Sequence, residues 1–109
     1  MITPSEAFEI ERVRARLAAG TGGYEVVHRS AGLELGVYVL VAPEPDRQQP
    51  HDDDEVYVVL EGTGLLTVEG RATPVGPGQA IFVPAHAEHQ FTAYEGLSVL
   101  VIFAKTPDQ

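Results

Sequence analysis

The chain is 109 residues long with a mass of 11.7 kDa, enough for one compact domain around one core and too little for two. Seven Lys+Arg against sixteen Asp+Glu give a formal charge of -9, which repels nucleic-acid phosphates and anionic membrane surfaces, so neither partner is expected. Cysteine is absent, which rules out disulfides, thiolate nucleophiles and Cys zinc sites and leaves His, carboxylate and amide side chains as metal donors.

The first predicted element is a helix over 4–19. Thr3 and Glu6 have capping-box spacing, Pro4 suits the first helical position, and Gly20 supplies a stop. Ile10, Val13 and Leu17 share one face, as in a surface helix lying on a sheet or a partner subunit. Residues 1–22 are read as this helix and a linker, and 23–109 as a single domain. No basic segment precedes an apolar one and no apolar run could span a bilayer, so the expected location is cytoplasmic.

From Tyr24 onward, short β-branched and aromatic runs alternate with Gly and Pro: "YEVVHRS", "LELGVYVLVA", "EVYVVLEG", "LLTVEG", "QAIFVPA", "EHQFTAY" and "LSVLVIFA". The connections "EGTG", "EGRA" and "VGPG" leave no room for crossover helices, so the body is expected to be all-β and antiparallel, a sandwich or closed barrel. "PEPDRQQP" is the one long polar insertion, and the tail "KTPDQ" is expected to fray.

That insertion leads into "QQPHDDDEVYVVLEG", residues 48–62, where a histidine and four carboxylates abut an apolar strand. An unpaired charge is costly in such a place. Side chains alternate faces along a strand, so Gln49, His51, Asp53, Glu55 and Tyr57 share one parity, with Gln48 the alternative if the segment is irregular at Pro50. His89 opens a later strand. His51, Glu55 and His89 together make a donor set for a first-row divalent ion with open positions, and Gln49 is a candidate neutral fourth ligand. Asp52, Asp53 and Asp54 read as a solvated edge. His86 follows Pro84 in a turn and is a candidate proton shuttle or substrate contact at the rim. Tyr38, Tyr57 and Phe91 read most simply as core or pocket wall, and Tyr57, which shares the parity of Glu55, is the candidate proton donor. The glycines at 62, 64, 76 and 78 read as turn residues, without the following helix that a phosphate-binding loop needs.

The stretch 48–62 resembles the first cupin motif: His51 stands at its second His, Glu55 at its Glu, Gly62 at its Gly, and Gln49 where the first His is usual. "GQAIFVPAHAEHQF" is similar to the second cupin motif, with Gly78, Pro84 and His89 in place. Gln79 stands for an acidic residue there, His86 for a Gly and Ala93 for an Asn. The resemblance runs from about Leu35 to Phe103. It implies a double-stranded β-helix, the jelly-roll barrel of a small single-domain cupin filling 23–109, with a metal inside its wider end and a homodimer as the assembly. The fold hosts dioxygenases, isomerases, epimerases, lyases, decarboxylases and proteins without a known reaction.

Two functions of different class fit these residues. One is a metalloenzyme holding Fe, Mn, Ni or Zn and acting on a small oxygen-bearing metabolite by dioxygenase-like or Lewis-acid isomerase or lyase chemistry. The alternative is a non-catalytic cupin that binds a sugar or small metabolite. A third arrangement is metal-free, with His51 or His89 as an ordinary general acid or base.

Overall fold

The computed structural model describes residues 2–46 and 48–105. The end of the tail, 106–109, for which fraying was expected, lies outside the described residues.

The single helix, α1 (Ile10–Ala19), is followed by six strands: β1 (Gly22–Arg29), β2 (Leu33–Leu40), β3 (Asp54–Val68), β4 (Arg71–Val75), β5 (Ala80–Val83) and β6 (His89–Ala104). The helix begins six residues later than the capping box predicts. Glu9 occupies the N-cap without a side-chain capping bond. Residues 2–7 are exposed, so the roughly 1 kcal/mol of a Thr3 cap has no buried face to support it. Instead Phe8 sets its ring against His28 of β1, centroids 5.5 Å apart, and helix follows from there. Ile10, Val13 and Leu17 are half-buried where α1 lies on β1 and β2, and Arg14 and Arg16 reach Glu61 and Glu25.

All strand pairs are antiparallel. Two predicted pairs of short strands prove to be single long ones. "EVYVVLEG" and "LLTVEG" join as β3, and "EHQFTAY" and "LSVLVIFA" join as β6. Of the glycines read as turn residues, Gly76 and Gly78 stand in the turn between β4 and β5, whereas Gly62 and Gly64 lie within β3. Register between β3 and β6 slips three times between Val59 and Leu65, and Gly62 and Gly96 both take positive φ there. A side chain on Gly62 would strike the carbonyl oxygens of Glu95 and Gly96, so the two strands can cross this closely only without one. "RATPV", passed over in the sequence, pairs as β4 with the far half of β3.

The bends divide the ladder into two layers. The first half of β3 pairs with β5 and with the second half of β6, which pairs with β2 and then β1; the second half of β3 lies between β4 and the first half of β6. Long strands that pass from one layer to the other through bulges make the corners of a jelly roll. Between the layers lie Tyr57, Val59, Leu66, Phe91, Leu97, Val99 and Val101, with Tyr57 and Phe91 edge to face at 4.9 Å.

Candidate metal centre

Alternation along β3 turns Glu55, Tyr57 and Val59 inward and leaves Val56 and Val58 half-buried, so the predicted parity holds where the strand is regular. His51 lies just before β3, and His89 is the first residue of β6. In the β3–β6 register Glu55 faces Phe103 and His89 faces Val68, placing the two residues at opposite ends of the ladder. The bends bring these ends together. His89 Nε2 lies 3.1 Å from Glu55 Oε1, and donor atoms of His51, Glu55 and His89 all fall within 4.8 Å of one another.

His51 is held from the loop opposite. The backbone N–H of His86 donates to the His51 carbonyl at 2.7 Å, and the N–H of Ala85 donates to Asp54 Oδ1 at 2.9 Å. Asp53 pairs with Lys105 at 3.0 Å. Of the acidic run expected to be a solvated edge, Asp52 and Asp54 are exposed and Asp53 is half-buried, and His86 Nδ1 lies 3.6 Å from the Asp52 carboxylate. Asp53 and Asp54 tie the entrance of β3 to its neighbours.

The Glu55 and His89 side chains are 2% and 1% exposed. His89 Nδ1–H donates to the Ala87 carbonyl at 2.9 Å, which fixes the tautomer and leaves the Nε2 lone pair facing the Glu55 carboxylate. Neither His89 Nε2 nor Glu55 Oε2 has a hydrogen-bond partner. Two electron-rich atoms at this distance in a dry interior need a cation or a proton between them. Burial pulls the His89 imidazole down, but the Glu55 carboxylate and the Ala87 carbonyl outweigh it, and His89 titrates above its ordinary range. A divalent cation serves the same electrostatic need, and a donor set of two imidazoles and one carboxylate suits first-row ions.

Gln49 is exposed, whereas its neighbour Gln48 is half-buried and turned inward, accepting a hydrogen bond from Tyr57 Oη at 2.6 Å. Burial, and then the charge of Glu55, push the Tyr57 phenol far above its ordinary range. Its proton is committed to Gln48. His86 stands at the rim, three-quarters exposed, with a positive φ of 70°. A residue missed in the sequence is Asp46, which is 4% exposed and accepts hydrogen bonds from Tyr38, Gln48 and Phe91. The available signal was an Asp two residues before Gln48 in a Pro-rich loop, the spacing of an Asx turn, which forms here from Gln48 N–H to Asp46 Oδ1.

A cavity of about 690 Å³ opens against His51 and Gln48, within the range of small-molecule sites. Val39, Leu40, Val101 and Phe103 give it apolar walls, and Glu34 and Lys105 stand at its polar end. Glu34 accepts from Tyr24 Oη and Arg29 Nε, both at 2.9 Å; burial opposes its charge, but these two bonds prevail and hold its carboxyl below the usual range. Tyr24 reaches this position because its ring lies over Gly36, where a side chain would collide with it.

A jelly roll with a buried His/Glu cluster at one end defines the class, and the cupin-domain family model matches residues 37–103: the chain belongs to the cupin family. Among its relatives, an uncharacterised protein of Streptomyces coelicolor is 38% identical over 100 residues, covering 91% of this chain and 95% of the relative. The dimethylsulfoniopropionate lyase DddW of Ruegeria pomeroyi is 37% identical over 73 residues, 66% of this chain and 48% of that one. An acireductone dioxygenase of Bacillus pumilus is 33% identical over 61 residues, 51% of this chain and 35% of its own length. The fold is also that of a solved Neisseria meningitidis protein, with TM-score 0.72, 21% identity, and coverage of 92% of this chain and all of that one. Among the described residues no helix is long and apolar enough to cross a membrane.

Proposed function

We propose that this cupin is a metalloenzyme in which His51, Glu55 and His89 hold one divalent transition ion and the adjoining cavity receives a small oxygen-bearing metabolite. The observation that carries this reading is the pair of unpartnered buried atoms, Glu55 Oε2 and His89 Nε2, converging with His51. The bound ion would supply Lewis acidity, or redox chemistry toward O2 if it is Fe, Mn or Ni.

The chain's own residues prepare the site. The Ala87 carbonyl orients the His89 ring, and the His86 N–H and Asp54 keep His51 over the mouth of the barrel. The apolar wall of Val101 and Phe103 excludes water from a ligand lying against His51. Tyr57, protonated and bound to Gln48, serves as a positioning group rather than the proton donor its parity suggests. His86 is the imidazole open to solvent and is left to exchange protons at the rim. Relatives named as a lyase and a dioxygenase support reactions of either kind, and the small cavity supports a single metabolite rather than a polymer.

Elemental analysis of tag-free wild type beside His89→Ala tests the metal. About one ion per chain, lost in the variant, is expected, and metal-free wild type that takes up none at micromolar levels would overturn the reading. The committed proton of Tyr57 favours a second reading, a binding cupin without turnover. A substrate screen decides between them, since turnover that disappears in His51→Ala excludes a pure binder. Activity that survives chelators would point to the metal-free acid/base arrangement.

A further inference from the structure

We propose that Gln48, not Gln49, supplies a fourth, neutral oxygen donor at the metal centre, and that Asp46 is the positioning residue that turns this oxygen toward it. The inference rests on the metal reading above and concerns residues outside the His/Glu cluster.

Asp46 lies in the loop before β3 and is anchored on β6. Its Oδ2 accepts the Phe91 N–H at 2.8 Å, and its carbonyl accepts Gln90 Nε2 at 3.1 Å. Its Oδ1 accepts Tyr38 Oη at 2.7 Å and the Gln48 N–H at 3.2 Å. The last partner is the Gln48 side chain, whose Nε2 donates to Oδ2 at 2.8 Å. A carboxylate that receives four donors can only accept, so it decides which end of the Gln48 amide faces it. The reversed amide would set a carbonyl oxygen against Asp46 Oδ2. With the nitrogen thus committed, Gln48 Oε1 must face the other way, where it accepts the Tyr57 hydroxyl at 2.6 Å.

That direction leads to the cluster. Tyr57 is two residues along β3 from Glu55 on the same face, and its ring centroid is 6.2 Å from that of His89. Gln48 lines the 690 Å³ cavity together with His51, and a second hollow of about 780 Å³ together with His89. It is the side chain shared by both approaches. A carbonyl oxygen carries two acceptor sites, and Tyr57 takes one of them, leaving the second for a cation. Gln49 also lines the second hollow, but it is exposed, and no hydrogen bond among the described residues holds its side chain.

The test is cobalt(II) binding to chelator-stripped protein, read as affinity and as the visible d–d spectrum, with circular dichroism as a check on folding. Wild type and Q49A should agree within about twofold. Q48A should lose about tenfold in affinity, as variants of ligand-shell residues do, and should shift the cobalt bands, reporting a changed donor set. D46N keeps the shape but offers a donor toward Gln48, and should show the same band shift with a smaller affinity loss. Wild-type affinity and spectrum in Q48A would overturn the proposal while leaving the metal reading standing, and so would a loss confined to Q49A. No cobalt in the wild type would overturn both. If D46N does not fold, the contrast between Q48A and Q49A decides the assignment, and Y38F, which loosens Asp46 without touching Gln48, replaces it as the test of positioning: a small band shift is expected, and an unchanged spectrum refutes the role of Asp46.

Discussion

Replacing Glu55 with Gln should stabilise the metal-free protein and destabilise the metal-loaded one, so that wild type and variant exchange order. At a pH above the raised pKa of His89, the imidazole is neutral with its Nδ1–H donating to the Ala87 carbonyl, and its Nε2 lone pair faces a buried carboxylate 3.1 Å away. One carboxylate oxygen also has no partner. A buried unsatisfied polar atom costs about 1–3 kcal/mol, and the Gln amide relieves it by donating to His89 Nε2. For a domain of this size each kcal/mol moves Tm by roughly 4–8 °C, so the chelated variant should melt several degrees above chelated wild type. A ligand at about 100 times its Kd then adds roughly 2.7 kcal/mol to wild type and little to the variant, which lacks the charged donor. Scanning calorimetry in chelator and in excess zinc reads both terms. A chelated Glu55→Gln protein that melts below wild type, or one that keeps the full zinc shift, would refute the argument.

Three further outcomes follow from the same geometry. Because the His89 pKa is raised above 6.5, its imidazolium–Glu55 pairing stabilises the chelated protein fully below that value and is lost as pH rises through the raised one. Tm of chelated wild type should therefore step down across this interval and His89→Gln should show no step; a flat wild-type profile would contradict the pairing. His86 holds a left-handed φ of 70°, which costs a non-glycine residue about 1–3 kcal/mol against the 0.5–1 kcal/mol that glycine loses in chain entropy, so His86→Gly should be neutral to mildly stabilising by urea titration. Gly62→Ala combines positive φ with collision against the β6 backbone and should cost about 3 kcal/mol or more in urea midpoint; a loss under about 1 kcal/mol would show that the bend does not depend on the missing side chain.

The strands and the ligand parity were legible because burial imposes a two-residue rhythm on β3, and Glu55 and Tyr57 obey it. His89 was legible from the strand that it opens. The bends were not, because a glycine between two β-branched runs reads equally as a hairpin turn or as a bulge in one strand. Only the partner strand distinguishes them, and Gly62 bends where it does because Gly96 lies across from it. The start of α1 was misplaced for a related reason: Thr3 and Glu6 satisfy a local rule, but Phe8 finds its contact on His28, twenty residues on. Gln48 was legible only as the alternative to Gln49 where Pro50 breaks the strand, and Asp46 was legible as an Asx turn but not as a buried carboxylate, since the same spacing serves a solvated one.

The meeting of the two ends of the β3–β6 ladder has a kinetic consequence. In a flat sheet Glu55 and His89 would stand roughly 40 Å apart, so no partly paired hairpin can offer both to one ion. Their approach needs the two layers to close on each other across the bends, a step expected late because loop closure is costly before it is rewarded. An ion seated there would clasp the two ends of the ladder together, so its binding should slow the parting of the layers.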